Sequence, residues 1–172
     1  MIGNERGFGI ALRVCALFAG CCALAAHAAA AGGAHADLGP ASGSSASGTV
    51  TLASLAGGVR LDIKVTGLTP GVHGFHIHEA GDCSAADASS AKGHFNPGNK
   101  PHGNHAGDLP DLVADASGAV QMSATVSGLS LDEGPTGILG RALIIHADPD
   151  DHVSQPSGKS GKRVACGVVK AD

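Results

Sequence analysis

The sequence contains no tryptophan and no tyrosine, and its four phenylalanines are its only aromatic side chains. Phe8 and Phe18 lie in the N-terminal stretch, which leaves Phe75 and Phe95 for the rest of the chain. A core built on stacked rings is excluded, so Val, Leu, Ile and Ala must fill it. Excess positive charge is missing too: 11 Lys and Arg stand against 15 Asp and Glu. Without a basic stripe there is no electrostatic footprint for nucleic acid. No segment reaches the roughly 20 consecutive apolar residues that a transmembrane helix needs. Nor does an amphipathic helical period of ordinary length appear anywhere along the chain.

What is present begins with a leader. Arg6 and Arg13 make a basic start, Val14 to Ala26 is apolar, and Ala26-His27-Ala28 offers a small-x-small cleavage site. This is the pattern of a secretory signal peptide over residues 1–28. An alternative route is lipidation at Cys21, because Phe18-Ala19-Gly20-Cys21 resembles a lipoprotein box. Phe18 and the interrupting Arg13 argue against it. Cleavage after Ala28 removes Glu5, Arg6 and Arg13, moving the formal charge from −4 to −5. It also removes Cys15, Cys21 and Cys22. Cys83 and Cys166 remain, and in an oxidising compartment they are expected to form one disulfide.

Residues 29–47 are rich in Ala, Gly and Ser and are expected to form a flexible N-terminal arm. From residue 48 to residue 172 a single domain is expected. Thr49 to Leu55 and Val59 to Val65 alternate apolar and polar residues around Gly57-Gly58, which predicts a hairpin. His73 to Glu79, Leu109 to Ala114, Ala119 to Val126, Arg141 to His146 and Ala165 to Val169 read as further strands. The fold class is all-β: a Greek-key, eight-stranded β-sandwich or flattened barrel. Ala80 to Asp108 and Ala147 to Arg163 are too long for simple turns, and long loops in a compact domain are usually functional.

Ten histidines are the conspicuous feature, and most of them cluster. In His73-Gly74-Phe75-His76-Ile77-His78, residues 76 and 78 project from one face of a strand. A lone histidine is more often a surface or core residue, but a His-x-His pair on a strand points to a metal. His94, His102, His105 and Asp108 follow within a Gly- and Pro-rich loop. Three imidazoles with one carboxylate suit tetrahedral zinc, and the absence of sulfur disfavours a thiolate copper site. His146 completes the group at the end of the apolar run Leu143-Ile144-Ile145.

Five segments in register, HGFHIHEAGDC (His73 to Cys83), GHFNP (Gly93 to Pro97), HAGDLP (His105 to Pro110), GRALIIH (Gly140 to His146) and RVACGV (Arg163 to Val168), resemble the bacterial periplasmic copper–zinc superoxide dismutases. With the preceding hairpin, the resemblance covers roughly Thr49 to Val169. It implies one copper and one zinc per chain. His76, His78, His94 and His146 match the copper ligands, and His94, His102, His105 and Asp108 match the zinc ligands. His94 would then bridge the two metals. Cys83 and Cys166 match the family disulfide. Arg163 matches the arginine that guides the anion to copper, and Asp150 matches the carboxylate linking a copper ligand (His76) to a zinc ligand (His102). The His102–His105 spacing is much shorter than the zinc loops common in the family. Lys162 stands where a small neutral residue is usual, and Ser157 where threonine is more common.

The activity implied is dismutation of superoxide to oxygen and hydrogen peroxide in the periplasm, with copper carrying the electron and His94 the proton. Lys159 and Lys162 could extend the positive field of Arg163 or be solvated loop residues. Two other readings fit part of the pattern. One is a non-enzymatic copper- and zinc-binding or copper-delivery protein on the same fold; the other is a zinc hydrolase, which leaves His76 and His78 unexplained. Monomer and homodimer both stay open, with superoxide as the only partner implied.

Overall fold

The computed structural model describes residues 1–3 and 32–172. The expected leader lies, apart from its first three residues, outside the described residues, as does Cys21. Among the described residues the protein is built of strands: β1 (Gly33–Pro40), β2 (Ser47–Leu55), β3 (Gly58–Thr66), β4 (Gly71–His73), β5 (Phe75–His78), β6 (Leu112–Ala114), β7 (Val120–Ser127), β8 (Ala142–His146), β9 (Arg163–Val168) and β10 (Lys170–Ala171). One 3-10 turn, Ser89–Ala91, interrupts the first long loop.

Eight strands form one curled sheet in the order β5-β8-β9-β1-β2-β3-β7, with β10 pairing beside β1. Strands β4 and β6 form a separate antiparallel pair. From β3 the chain jumps to β5 at the far end of the order, and from β7 it returns to β8. That crossing is Greek-key connectivity. Strand β1 serves both halves: Gly33 to Leu38 pair with β2, whereas Gly39 and Pro40 pair with β9.

Period-two alternation sets each strand's inner face. In β3, Val59, Leu61, Ile63 and Val65 are buried while Arg60 and Lys64 are exposed. Val50 and Leu52 of β2 meet them from the neighbouring strand. Phe75 and Phe95 are the only rings among these aliphatic side chains in the main core, as the composition requires.

Three expectations need correction. The stretch expected as a flexible arm contains β1, in which Ala34, Ala36 and Leu38 alternate inward and are fully buried. Alanine at every second position carries little hydropathy contrast, so the low-complexity composition hid a strand. The hairpin loop is Ala56-Gly57 rather than Gly57-Gly58, because Gly58 already pairs with Leu55. A side chain at Gly58 would meet the Val126 carbonyl at 2.4 Å, which explains that glycine inside the sheet. Finally, the strand expected from His73 to Glu79 is split at Gly74. Its N–H donates to the Asp148 carbonyl (2.9 Å) and its carbonyl accepts from His146 N–H (2.8 Å).

The loop from Ala80 to Asp108 is laid along the free edge of β5. Ile77 N–H donates to Gly107 O (2.9 Å), Phe95 N–H to Ile77 O (2.8 Å) and Leu109 N–H to Phe75 O (3.2 Å). These bonds satisfy backbone groups that an edge strand would otherwise leave open. The same loop is pinned to β9 by the Cys83–Cys166 disulfide, with Cα atoms 5.8 Å apart. Beneath the bond Ala88, Ala91, Ala142 and Ile144 pack as a small separate cluster.

Candidate metal centre

The site lies on the outer face of β5 and β8, between that face and the two long loops. His76 and His78 share this face by strand alternation, while Phe75 and Ile77 turn into the core. Opposite them, β8 ends in His146, where a bulge between Ile145 and His146 shifts the register. The covering loops supply the rest. His94, in the first loop, pairs with His78 in an isolated bridge, and Asp108 pairs with His76 in the same way.

All seven ligand candidates are brought together, in two groups with donor atoms within 4.8 Å of one another: His76, His78, His94 and His146, then His94, His102, His105 and Asp108. His94 belongs to both. In four of the six histidines the ring nitrogen turned away from its group is tied down. His76 Nε2–H donates to Asp150 Oδ2 (2.7 Å) and His102 Nε2–H to Asp150 Oδ1 (2.8 Å). His78 Nδ1–H donates to Lys92 O (2.9 Å) and His146 Nδ1–H to Gly161 O (3.3 Å). The opposite nitrogens, His76 Nδ1, His78 Nε2, His94 Nε2, His102 Nδ1 and His146 Nε2, are buried with no hydrogen-bond partner. One unsatisfied buried polar atom costs about 1–3 kcal/mol. Four of these nitrogens converge on the first group and His102 Nδ1 on the second, and with the outer nitrogens of His76, His78, His102 and His146 fixed as donors they present lone pairs to cations.

The second group has the shape of a tetrahedral site. His94 Nδ1, His102 Nδ1 and His105 Nδ1 lie 3.0, 3.3 and 3.2 Å from Asp108 Oδ1, and His105 Nδ1 lies 3.4 Å from His94 Nδ1. Ligands held about 2.0–2.1 Å from a zinc ion stand about 3.3 Å apart along each tetrahedral edge. The short His102–His105 segment therefore does not displace His105. Asp108 is aimed by its other oxygen, which accepts from Gly103 N–H (2.8 Å) and His105 N–H (2.9 Å).

Electrostatics favour the metal-ready protonation states. Burial pushes His76 down to about 4, with the nearby His94 adding to the effect. Burial likewise pushes His78 down to about 2 and His146 down to about 3. All three are neutral at physiological pH. Burial alone would raise the Asp108 carboxyl, but bonds from His94 and the His105 N–H lower it well below its usual value. Asp150 is lowered against the same burial by bonds from His102 and His76.

Arg163 donates from Nη1 to Ala88 O (2.6 Å) and from Nη2 to Lys92 O (2.5 Å). It lines a cavity of about 220 Å³ with His78, His94, His146 and Ser157. Lys162 is exposed, and Lys159 is 80% exposed and 3.9 Å from Asp151. A larger depression of about 700 Å³, on the outer face of β2, β3 and β7, is lined by none of the clustered histidines. Its lining of Thr49, Thr51, Lys64 and Gln121 is solvated, so the smaller cavity is the chemically relevant one.

Sequence reasoning missed the main-chain carbonyls of Ala88, Lys92 and Gly161, because backbone groups carry no residue-type signal. It also missed Gln155, whose amide binds the main chain of His102. A further omission is Gly158, where a Cβ would stand 1.6 Å from Asp150 Oδ1.

The copper/zinc superoxide dismutase (SODC) family profile matches residues 46–169. The chain belongs to this family. Over 124 residues it is 44% identical to the Cu-Zn superoxide dismutase 1 of Aquifex aeolicus, covering 66% of this chain and 73% of the relative. Over 141 residues it is 40% identical to the Cu-Zn superoxide dismutase of Deinococcus radiodurans, covering 72% and 77%. Among solved structures, a SOD-like protein from Bacillus subtilis superposes with a TM-score of 0.73 at 38% identity, covering 78% of this chain and 96% of that one. The clock protein EA4 superposes with a TM-score of 0.72 at 36% identity, covering 81% and 94%. Since this fold is also found in a protein described by a clock role, activity has to be argued from the site.

Proposed function

We propose that the chain dismutes superoxide to oxygen and hydrogen peroxide at a histidine-bridged copper–zinc centre. The observation that carries this reading is His94, whose Nδ1 faces the Asp108 group while its Nε2 is one of the unpartnered buried nitrogens. His76, His78, His94 and His146 would hold copper, and His94, His102, His105 and Asp108 would hold zinc. Bound there, copper supplies a one-electron couple that oxidises one superoxide and reduces the next, and zinc, which has no redox chemistry, fixes the far side of His94.

The chain's own residues do the remaining work. Arg163 presents a guanidinium to the cavity, held by two carbonyls so that the charge stays in place, and there it binds the incoming anion. When it is released from the first ligand group, His94 Nε2 would carry one of the two protons that hydrogen peroxide needs, the other coming from water in the cavity, because Nδ1 is committed to the Asp108 side. Burial of His76, His78 and His146 excludes bulk water from everything but the cavity. No specific observation favours copper delivery without turnover, and a zinc hydrolase leaves the first histidine group without a purpose.

We also infer export to an oxidising compartment, the periplasm, where the activity protects the cell envelope. The Cys83–Cys166 bond and the leader pattern over residues 1–28 support this. The mass of the purified N-terminus separates cleavage after Ala28 from lipidation at Cys21.

The decisive experiment loads the protein with copper and zinc and measures superoxide consumption with metal content. One copper and one zinc per chain, with turnover abolished by copper removal, is the expected result. Full turnover with zinc alone would overturn it.

A further inference from the structure

The second metal group is made by one loop but held by the other. His102 comes from the first loop, yet its side chain donates to Asp150 and its main-chain N–H donates to Gln155 Oε1 at 2.8 Å, both in the second loop. Gln155 Nε2–H donates back to His102 O (3.3 Å) and to Val153 O (3.1 Å). The amide is therefore oriented without ambiguity: its oxygen meets a donor and its nitrogen meets two acceptors. Around this clamp the loops approach so closely that glycine is required on both sides. A Cβ at Gly103 would stand 2.2 Å from His152 O, and one at Gly158 would stand 2.6 Å from His102 Nε2.

We propose that Gln155 is a positioning residue for the zinc ligand His102. It substitutes for the internal support that the short segment from His102 to His105 is too brief to provide. That segment spans four residues and carries two ligands, and the hydrogen bonds among its main-chain groups are few. Asn104 N–H reaches Pro101 O (3.1 Å), and Asp108 Oδ2 accepts from Gly103 and His105. His102 N–H has no partner within the segment and bonds only to Gln155. With Asp150 fixing the Nε2 end of the imidazole and Gln155 fixing the backbone from which it projects, Nδ1 is aimed at the other three ligands. Gln155 itself is exposed and touches no candidate ligand atom, so it acts through His102 alone.

The inference rests on the zinc reading of His94, His102, His105 and Asp108. It is tested with Gln155→Met, which keeps the side-chain length and removes both hydrogen-bonding functions. Cobalt is placed in the zinc position, where its visible absorption reports tetrahedral geometry, and metal release to a chelator is timed. The variant should release zinc about fivefold faster, the size of effect expected from one net hydrogen bond, with an altered cobalt spectrum. Copper release from the other group and unfolding of the metal-free protein should be unchanged. Gln155→Glu keeps the acceptor for His102 N–H and should fall between the two. A wild-type protein that takes up no cobalt at these ligands overturns the zinc reading and the inference with it. If wild type takes it up and Gln155→Met matches its spectrum and release rate, the inference alone fails. A variant whose metal-free form is destabilised, with zinc release changed no more than copper release, assigns Gln155 a structural role and also overturns it.

Discussion

Arg163 is tied to Lys92: its Nη2–H donates over 2.5 Å to the Lys92 carbonyl, which also accepts His78 Nδ1–H at 2.9 Å. One main-chain oxygen thus sets both the guanidinium at the cavity and the tautomer of a copper-ligand candidate. Lys92 sits at φ 64, a region that non-glycine residues rarely adopt. The strain is maintained where two side chains depend on one carbonyl.

Arg163→Ala should retain both metals and lose at least about tenfold in activity at low salt, with a flatter dependence on ionic strength. Steering of the anion is a known property of the family, and the prediction concerns the share carried by Arg163. Arg163→Lys keeps the charge but not the fork that reaches two carbonyls, and should be intermediate. Activity against salt, together with elemental analysis, checks this; an unchanged low-salt rate in the alanine variant would contradict it.

Asp150→Asn should weaken metal binding. The carboxylate accepts from His102 and His76 with one oxygen each, and an amide offers only one acceptor. Loss of a carboxylate that orients a metal-bound histidine typically costs 10–100-fold in affinity. Competition with a chelator gives the measurement, and unchanged affinity for both metals would rule the role out.

Replacing Cys83 and Cys166 by serine should act twice. Opening a loop of 83 residues removes about 4.5 kcal/mol in the chain-entropy account. It also loosens the loop that carries Ala88 and Lys92, the two carbonyls holding Arg163. Activity should therefore fall under conditions where the protein is still fully folded. A variant that loses stability but keeps full activity would separate the bond from the cavity.

The metal-free protein should lose stability on acidification. In the unfolded chain histidines protonate near pH 6.5, whereas burial holds folded His76, His146 and His78 neutral down to about 4, 3 and 2. Between about pH 6.5 and 4 the unfolded state binds more protons, so stability drops as pH falls through that window. Above pH 7 both states are neutral at these positions and the slope vanishes. Thermal midpoints from pH 7.5 to 4.5 test this, and a flat series would exclude it.

Much of this was legible in the sequence, for identifiable reasons. Strong alternation announced β2 and β3, a continuous apolar run announced β8, and the His-x-His spacing placed two imidazoles on one face. Strand β1 was not legible, because alternating alanine against Gly, His and Asp produces little contrast. The break at Gly74 was hidden as well, since it follows from contacts with Asp148 and His146 more than seventy residues away. At the site, side chains with metal chemistry stood out by type. The carbonyls that set their tautomers did not, and an exposed glutamine in a loop has no pattern to betray it.

Strand β1 has a consequence for the order of folding. It is among the first segments of the described chain to be synthesised, yet Gly39 and Pro40 pair with Ala165 and Cys166, and Ala34 with Ala171. The sheet cannot close until the last strand has left the ribosome. Such distant pairings slow folding. A nascent chain therefore stays open along this seam until β9 and β10 have been made.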